Sequence, residues 1–341
     1  MGDKRYTMSL QEAQKERGKI IGIIEKTVST ALSDITKSEP HWVANLVFYL
    51  SDMVNKRIRI IFNDYGIYVK SGGVFVHQQP QVKCKNFPKK SPKAVEIGDL
   101  LLIVNHKFSN GTLGRNALLL QVKRMRDCPP KPTNPNQHHL YAYWPEFEYV
   151  RSTPALNGYK RLVTGPHLYN GAKYLLIGEG IQELNLRRKM VDCQLCCCFI
   201  EYSRLSECNA VTAYPSKPHI SGFNYFTFEL YNLLFGNAGR RFIYQPSDNN
   251  INWDQVITDL IDVTSHRVSS YTKGPRGKGD LSCFLVGDIS SILVGSQINT
   301  DLNGFIERGD TPPKITESSE EDIESNNRGI SIVEIYIDET E

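Results

Sequence analysis

Apolar positions change their spacing several times along the chain, and each change marks an element. Residues 10–37 contain no Pro, and Ile20, Ile21, Ile23, Ile24, Val28 and Leu32 recur at helical spacing, which predicts one long amphipathic helix. After the break at Pro40, Val43, Leu46, Val47, Leu50 and Val54 line one face of a second helix over residues 41–55. Residues 58–70 are rich in Ile, Tyr, Phe and Val around Asn63-Asp64-Tyr65-Gly66, the pattern of two strands about a turn. Val74-Phe75-Val76-His77 predicts a further short strand, and the basic stretch with Pro88 and Pro92 a loop.

Two almost wholly apolar runs follow, residues 97–105 and 116–123, separated by the turn-rich Phe108-Ser109-Asn110-Gly111-Thr112. Runs without polar alternation predict strands buried on both faces of a sheet. Residues 129–135 are irregular and 137–149 strongly aromatic; 171–177 and 190–202 read as strands, 226–234 and 253–263 as helices, and 330–337 as a last strand. The polar, acidic residues 310–327 read as a linker. These elements divide the chain into an N-terminal helical segment (1–40), a core (41–245), a helix and strand extension (246–309) and an acidic linker with terminal strand (310–341). The fold class is α/β or α+β, and the pattern leaves the two open.

The 341 residues, 40% hydrophobic and 23% charged, describe a folded chain rather than a disordered one. The longest central apolar run, Leu100-Leu101-Leu102-Ile103-Val104, is far short of a membrane span. The charged N-terminus lacks the apolar core of a signal peptide, and Tyr6 spoils a myristoylation match. Four of the eight cysteines crowd between Cys193 and Cys198, unlike a secreted disulfide framework, so a cytoplasmic location is expected. The net charge of +3 hides two opposed parts: residues 316–341 carry −8 and the remainder +11. Such a tail is expected either to solubilise the chain or to fold back on a basic groove.

Chemistry concentrates in the two apolar strands. Asp99 opens the first, and Gln121-Val122-Lys123 closes the second. Side chains alternate along a strand, so Gln121 and Lys123 share a face while Val122 points away. If the strands pair as a hairpin, a carboxylate, an amide and an ammonium meet in one small volume. Mg²⁺ accepts such hard oxygen ligands, can polarise a phosphodiester and can lower the pKa of a bound water, and a lysine can orient that water. Between Lys83 and Lys131 lie eleven bases and three acids, the charge expected around a polyanion. The bland reading is a turn-forming Asp after Gly98, a solvated strand end and a solvated basic loop.

Asp99 with Gln121-x-Lys123 resembles the site of the PD-(D/E)xK nucleases of restriction-endonuclease-like fold, in its QxK variant. Val74-Phe75-Val76-His77-Gln78-Gln79-Pro80 and Tyr143-Trp144-Pro145-Glu146-Phe147 resemble segments of a bacterial family that shares this hairpin, and no chemistry attaches to them. The resemblance implies an α-β-β-β-α-β core with a mixed sheet flanked by helices, here with an extra N-terminal helix and C-terminal elements. It further implies a metal-dependent nuclease whose substrate is DNA or, as the second choice, RNA, in bacterial restriction or anti-phage defence, either as a homodimer or with a defence-complex partner.

By this resemblance Asp99, Gln121 and the backbone carbonyl of Val122 hold Mg²⁺ or Mn²⁺, a further acid comes from Glu96 or Asp52, and Lys123 completes the catalytic set. The bases Lys83, Lys85, Lys89, Lys90, Lys93, Lys107, Arg115, Arg124 and Arg126 are expected to bind nucleic acid. The alternative is an inactive nucleic-acid-binding or interaction subunit that keeps the fold.

Three rival features rank lower. Cys193, Cys196, Cys208 and His219 lack the second close pair of a zinc site. The basic Gly-rich residues 273–280 lack the spacing of a P-loop. His138 and His139, beside Tyr141, Tyr143 and Trp144, suit either base stacking or core packing.

Overall fold

Strands β4 (Leu100–Lys107) and β5 (Leu113–Arg124) form an antiparallel hairpin whose register runs from Leu100 opposite Leu120 to Lys107 opposite Leu113. At its turn, Asn110 accepts from the Thr112 N–H and hydroxyl, and Gly111 takes φ +78°, a conformation a side chain would strain. In the computed structural model the described residues are 7–77, 79–126, 128, 130–165, 168–178, 181, 184, 209–216, 220–246, 252–273, 283–287 and 328–340. The expected strand over 190–202, the cysteines from Cys193 to Cys208, His219, residues 274–280 and the acidic stretch 310–327 lie outside them.

The hairpin is buried on both faces, as its lack of polar alternation demanded. Leu100, Leu102, Val104, Leu118, Leu120 and Val122 enter one core with helices α2 (Arg17–Ala31), α3 (Glu39–Met53) and α7 (Phe226–Leu234). Leu101, Ile103, Ala117 and Leu119 enter a second core with α5 (Pro135–Tyr143) and α8 (Trp253–Lys273). Around the hairpin the remaining strands complete a mixed sheet in the order β10-β9-β8-β5-β4-β13-β1-β12, with β11 (Arg240–Arg241) paired to β5. These strands are β1 (Tyr68–Val76), β8 (Ala172–Ile177), β9 (Ala210–Tyr214), β10 (Ser221–Tyr225), β12 (Cys283–Gly287) and β13 (Ser331–Asp338). Strands β13 and β8 run parallel to β4 and β5 respectively, and the other pairs are antiparallel. A second, smaller sheet, β3 (Val95–Glu96), β2 (Gln81–Lys83), β6 (Phe147–Arg151) and β7 (Lys160–Arg161), packs Val82, Val95, Phe147 and Tyr149 into the second core. The architecture is mixed α/β, a central mixed sheet flanked by helices.

Four expectations change. The single N-terminal helix is two, α1 (Thr7–Ala13) and α2. Residues 58–63 are helical rather than a strand: α3 continues through a π-helical turn, Val54–Ile58, into α4 (Arg59–Asn63). Val54, Ile58 and Phe62 recur four residues apart and are fully buried, while Ile60, which made the segment look like a strand, is 63% exposed. The turn at 63–66 is real, with Gly66 at φ +69°, and the two short strands expected after it are the single strand β1.

The third change concerns Pro40. It does not precede the helix but occupies its first turn, where no backbone N–H is required, so α3 starts at Glu39. The fourth concerns the acidic end. Residues 331–338 form the expected terminal strand, but it lies between β1 and β4 at the middle of the sheet, so this part of the acidic end is not available to fold over a groove.

Candidate active site

At the Asp99 end of the hairpin the structure brings together residues from five elements, α3, β3, the start of β4, the end of β5 and α5. The Asp99 N–H donates to the Leu120 carbonyl at 2.9 Å, which extends the ladder by one residue and sets Asp99 opposite the end of β5. The Asp99 carboxylate, in a residue only 7% exposed, accepts from the side-chain amide of Gln121 and from the Val122 N–H at 2.7 Å. Val122 thus meets Asp99 through its N–H. Gln121 is fully buried, and its Oε1 accepts from Nε2 of Gln137 at 2.7 Å. Gln137 also donates to the Glu96 carbonyl at 3.2 Å. It is placed by Asn134, which caps α5 by accepting from the backbone N–H groups of Asn136 and Gln137.

Lys123 leaves β5 on the same face as Gln121, and its Nζ donates to Glu39 Oε2 at 2.8 Å. The other Glu39 oxygen accepts from the Arg124 N–H at 3.1 Å, so one carboxylate is fixed by two donors from the strand end. Glu39 is therefore the acid that α3 brings to this cluster. Helical periodicity alone does not reveal it, because a proline that breaks a helix interior is also a start signal at the first helical position, and here Pro40 opens α3. Asp52, the acid first assigned to the helix, lies roughly 20 Å along α3 from Glu39 at helical rise and pairs with Lys56 at 2.7 Å. It plays no part in the cluster.

Charge crowding shapes the protonation of the cluster. Burial, and then the neighbouring Glu96 and Glu39, push Asp99 up to about 8, against the pull of the Lys123 ammonium and the Val122 N–H. Burial likewise raises Glu96, with Lys123 lowering it and Glu39 raising it again. For Lys123, burial works against the charged form, but Asp99, Glu39 and Glu96 more than offset it and hold its pKa above the ordinary lysine value. Three carboxylates thus face one ammonium in a setting largely shielded from water. Among the described residues no group of three His, Cys, Asp or Glu side chains is set for a metal ion. A cation here would rely on the Gln121 amide as well as carboxylates, a donor set of hard oxygens that suits Mg²⁺ or Mn²⁺.

The nine bases expected to bind nucleic acid separate into groups. Lys107 lies at the far end of β4, roughly 26 Å from Asp99 at strand rise, where it pairs with Asp338 at 2.9 Å; Arg115 lies opposite Asn105 near the same end. Neither belongs to the surroundings of Asp99, because a hairpin carries the two ends of its strands apart. Arg124 is taken up structurally, stacked 5.0 Å over Trp42 and donating to the Thr36 and Lys37 carbonyls. Arg126 is exposed beyond β5. The other five, Lys83, Lys85, Lys89, Lys90 and Lys93, line one groove of about 530 Å³ with Lys160.

Sequence reasoning also missed Arg328. This buried residue precedes β13, donates to the Gln79 carbonyl at 3.3 Å and lowers the pKa of Glu96. In the aromatic segment, His138, Tyr141 and Trp144 are core, while Tyr143 is 53% exposed. No family model, no curated protein and no solved structure matches this chain.

Proposed function

We propose that the chain is a metal-dependent phosphodiesterase acting on nucleic acid, of the PD-(D/E)xK type with glutamine in the middle position. The observation that carries the reading is the meeting of Glu39, Glu96, Asp99, Gln121 and Lys123 from α3, β3, the start of β4 and the end of β5. Buried carboxylates with raised pKa values beside one lysine, with Arg328 also acting on Glu96, are an arrangement that gathers at functional sites more often than in the body of a fold. The order of α3, β1, β4, β5, α5 and β8 follows the α-β-β-β-α-β succession of that nuclease core, with β13 intercalated between β1 and β4.

Asp99 and Gln121, with Glu39 or Glu96, would hold the ion, which supplies Lewis-acid polarisation of a phosphodiester and an activated water. Gln121 now turns its nitrogen to Asp99 and its oxygen to Gln137. Rotating both amides by half a turn presents the Gln121 oxygen toward Asp99 while preserving a hydrogen bond between the two glutamines. Lys123 holds positive charge where a phosphate approaches, and Glu39 keeps that ammonium in place.

The rival reading is a nucleic-acid-binding subunit without hydrolysis. It is favoured by the Asp99 carboxylate, which is already engaged by Gln121 and Val122. The test incubates the protein with single-stranded and duplex DNA and with RNA, in Mg²⁺, Mn²⁺ or EDTA, alongside Asp99→Asn and Lys123→Ala. Metal-dependent cleavage lost in both variants supports the proposal. Binding without cleavage under any of these conditions leaves the rival, and cleavage unchanged in both variants removes the site assignment.

A further inference from the structure

The lysine groove is built rather than incidental. Its loop is tied down by Asn136, a fully buried residue of α5 whose side chain accepts from the Lys89 N–H at 2.8 Å and donates to the Lys89 and Pro92 carbonyls at 2.9 and 2.8 Å. Two carboxylates reach the groove, and each is matched, Glu148 by Lys83 at 2.9 Å and Glu146 by Lys160 at 3.5 Å. Among the described residues no ion pair engages Lys85, Lys89, Lys90 or Lys93, so the concavity carries four positive charges without an acidic partner.

Its lining is not purely charged. Phe87 and Phe147 contribute rings, and Phe87 meets His139 edge to face at 6.4 Å. His139 in turn lies 5.0 Å from the exposed Tyr143, one turn along α5. The groove also adjoins the candidate active site. Gln81 of β2 is paired with Glu96, and Lys83 follows two residues later, roughly 7 Å along the strand. Asn136, which anchors the loop, is the chain neighbour of Gln137, which holds Gln121.

We propose that this groove binds an unpaired stretch of nucleic acid, one or two nucleotides beside the scissile phosphodiester, so that the substrate is a single strand or an overhang rather than a continuous duplex. The inference rests on the phosphodiesterase reading for the position of the cut, but the groove binds whether or not the chain hydrolyses. Lysines spaced around a concavity match successive phosphates, and an aromatic ring among them needs a flat partner face. In a duplex the base faces are stacked on one another and hidden, so Phe87 would have no partner. A cavity of about 530 Å³ accommodates a nucleotide or two but not a double helix. An acidic peptide would satisfy the lysines and leave the ring unused.

The experiment is fluorescence anisotropy on the full chain in EDTA, where no cleavage occurs. The probes are labelled oligothymidylate, a blunt duplex and the same duplex with a single-stranded extension. The single strand and the extended duplex are expected to bind roughly tenfold or more tighter than the blunt duplex. Lys89→Glu/Lys90→Glu/Lys93→Glu, all at exposed positions, should weaken them roughly thirtyfold or more and lower the salt slope by about two. Phe87→Leu keeps the apolar packing and should cost roughly tenfold on single strands alone.

Equal affinity for single strand and blunt duplex, an unaffected triple variant, or displacement by polyglutamate as effective as by oligonucleotide would each overturn the proposal. Intact groove binding without metal-dependent cleavage refutes the phosphodiesterase reading and leaves the groove standing. Metal-dependent cleavage that the triple variant retains in full refutes the groove and leaves the phosphodiesterase.

Discussion

Glu334 offers the most direct test of how the acidic end of the chain is built into the fold. It sits in β13, opposite Ile103 of β4 and Gly72 of β1, and is 4% exposed. Asn105 donates to its Oε1, and its Oε2 has no hydrogen-bond partner. Burial pushes this carboxyl from 4.5 up to about 8, with Asn105, Arg115 and Lys70 opposing the shift. The folded protein therefore retains a proton that the unfolded chain releases above its ordinary pKa. The contribution of Glu334 to stability then falls as pH rises from about 4.5 and stops falling above about 8. At about 1.4 kcal/mol per unit of pKa difference, the full loss is roughly 3–5 kcal/mol, a large share of a domain's total stability.

Glu334→Gln removes the titration and keeps the shape. An amide nitrogen at the Oε2 position would be as unpartnered as a carboxylic hydroxyl, so any fixed cost appears equally at every pH. The quantity to follow is thus the difference in unfolding free energy between variant and wild type, from urea melts between pH 5 and pH 9. It should move in favour of the variant by about 1.4 kcal/mol per pH unit and level off above pH 8. A difference that stays flat across this range would refute the burial of an uncompensated carboxyl at the sheet centre. Asp99 titrates in the same window in both proteins and cancels from the difference.

Three further outcomes follow from the same geometry. Glu39→Gln should lower metal-dependent cleavage by about two orders of magnitude by releasing Lys123 and Arg124, while costing only about 1–2 kcal/mol because the carboxylate is 35% exposed; paired turnover assays and denaturant melts separate the two. Deleting residues 328–341 removes a strand flanked on both sides, with Ile332, Val333, Ile335 and Ile337 each worth roughly 1.5–3 kcal/mol of burial, so circular dichroism should report an unfolded or aggregated chain rather than one with raised nucleic-acid affinity. In Gly98→Ala the new methyl would lie 2.6 Å from Leu119 Cδ1 and 3.0 Å from the Tyr141 hydroxyl; melts should show a loss of roughly 1–3 kcal/mol, with cleavage reduced because Asp99 is the next residue.

Much of this molecule was legible in one dimension. The almost wholly apolar runs at 97–105 and 116–123 called for strands buried on both faces, because a strand with no polar face has no side to turn to water, and the structure pairs them as a hairpin. Strand alternation then put Gln121 and Lys123 on one face, and the hairpin turn put Asp99 beside them, since both steps depend only on local geometry. Local rules also misled. Residues 58–63 satisfy strand and helix patterns alike over so short a span, and the pull of Val54, Ile58 and Phe62 toward the first core settled it for helix.

What the tertiary structure alone decided is which distant residues join the hairpin. Glu39 lies 84 residues from Lys123 and reaches it only because α3 packs across the sheet with its first turn at the strand ends. The basic residues of 83–131 looked like one patch, yet the length of β4 separates Lys107 from Asp99, and folding gathered five of the lysines into a groove with Lys160. The terminal strand over 330–337 is legible in its apolar run, but its place at the centre of the sheet is not: Ile332, Val333, Ile335 and Ile337 gain more from the two cores than Glu334 loses by burial. Charge counts along a chain are sums over neighbours in sequence. The energies that place residues depend on neighbours in space, which no count along the chain contains.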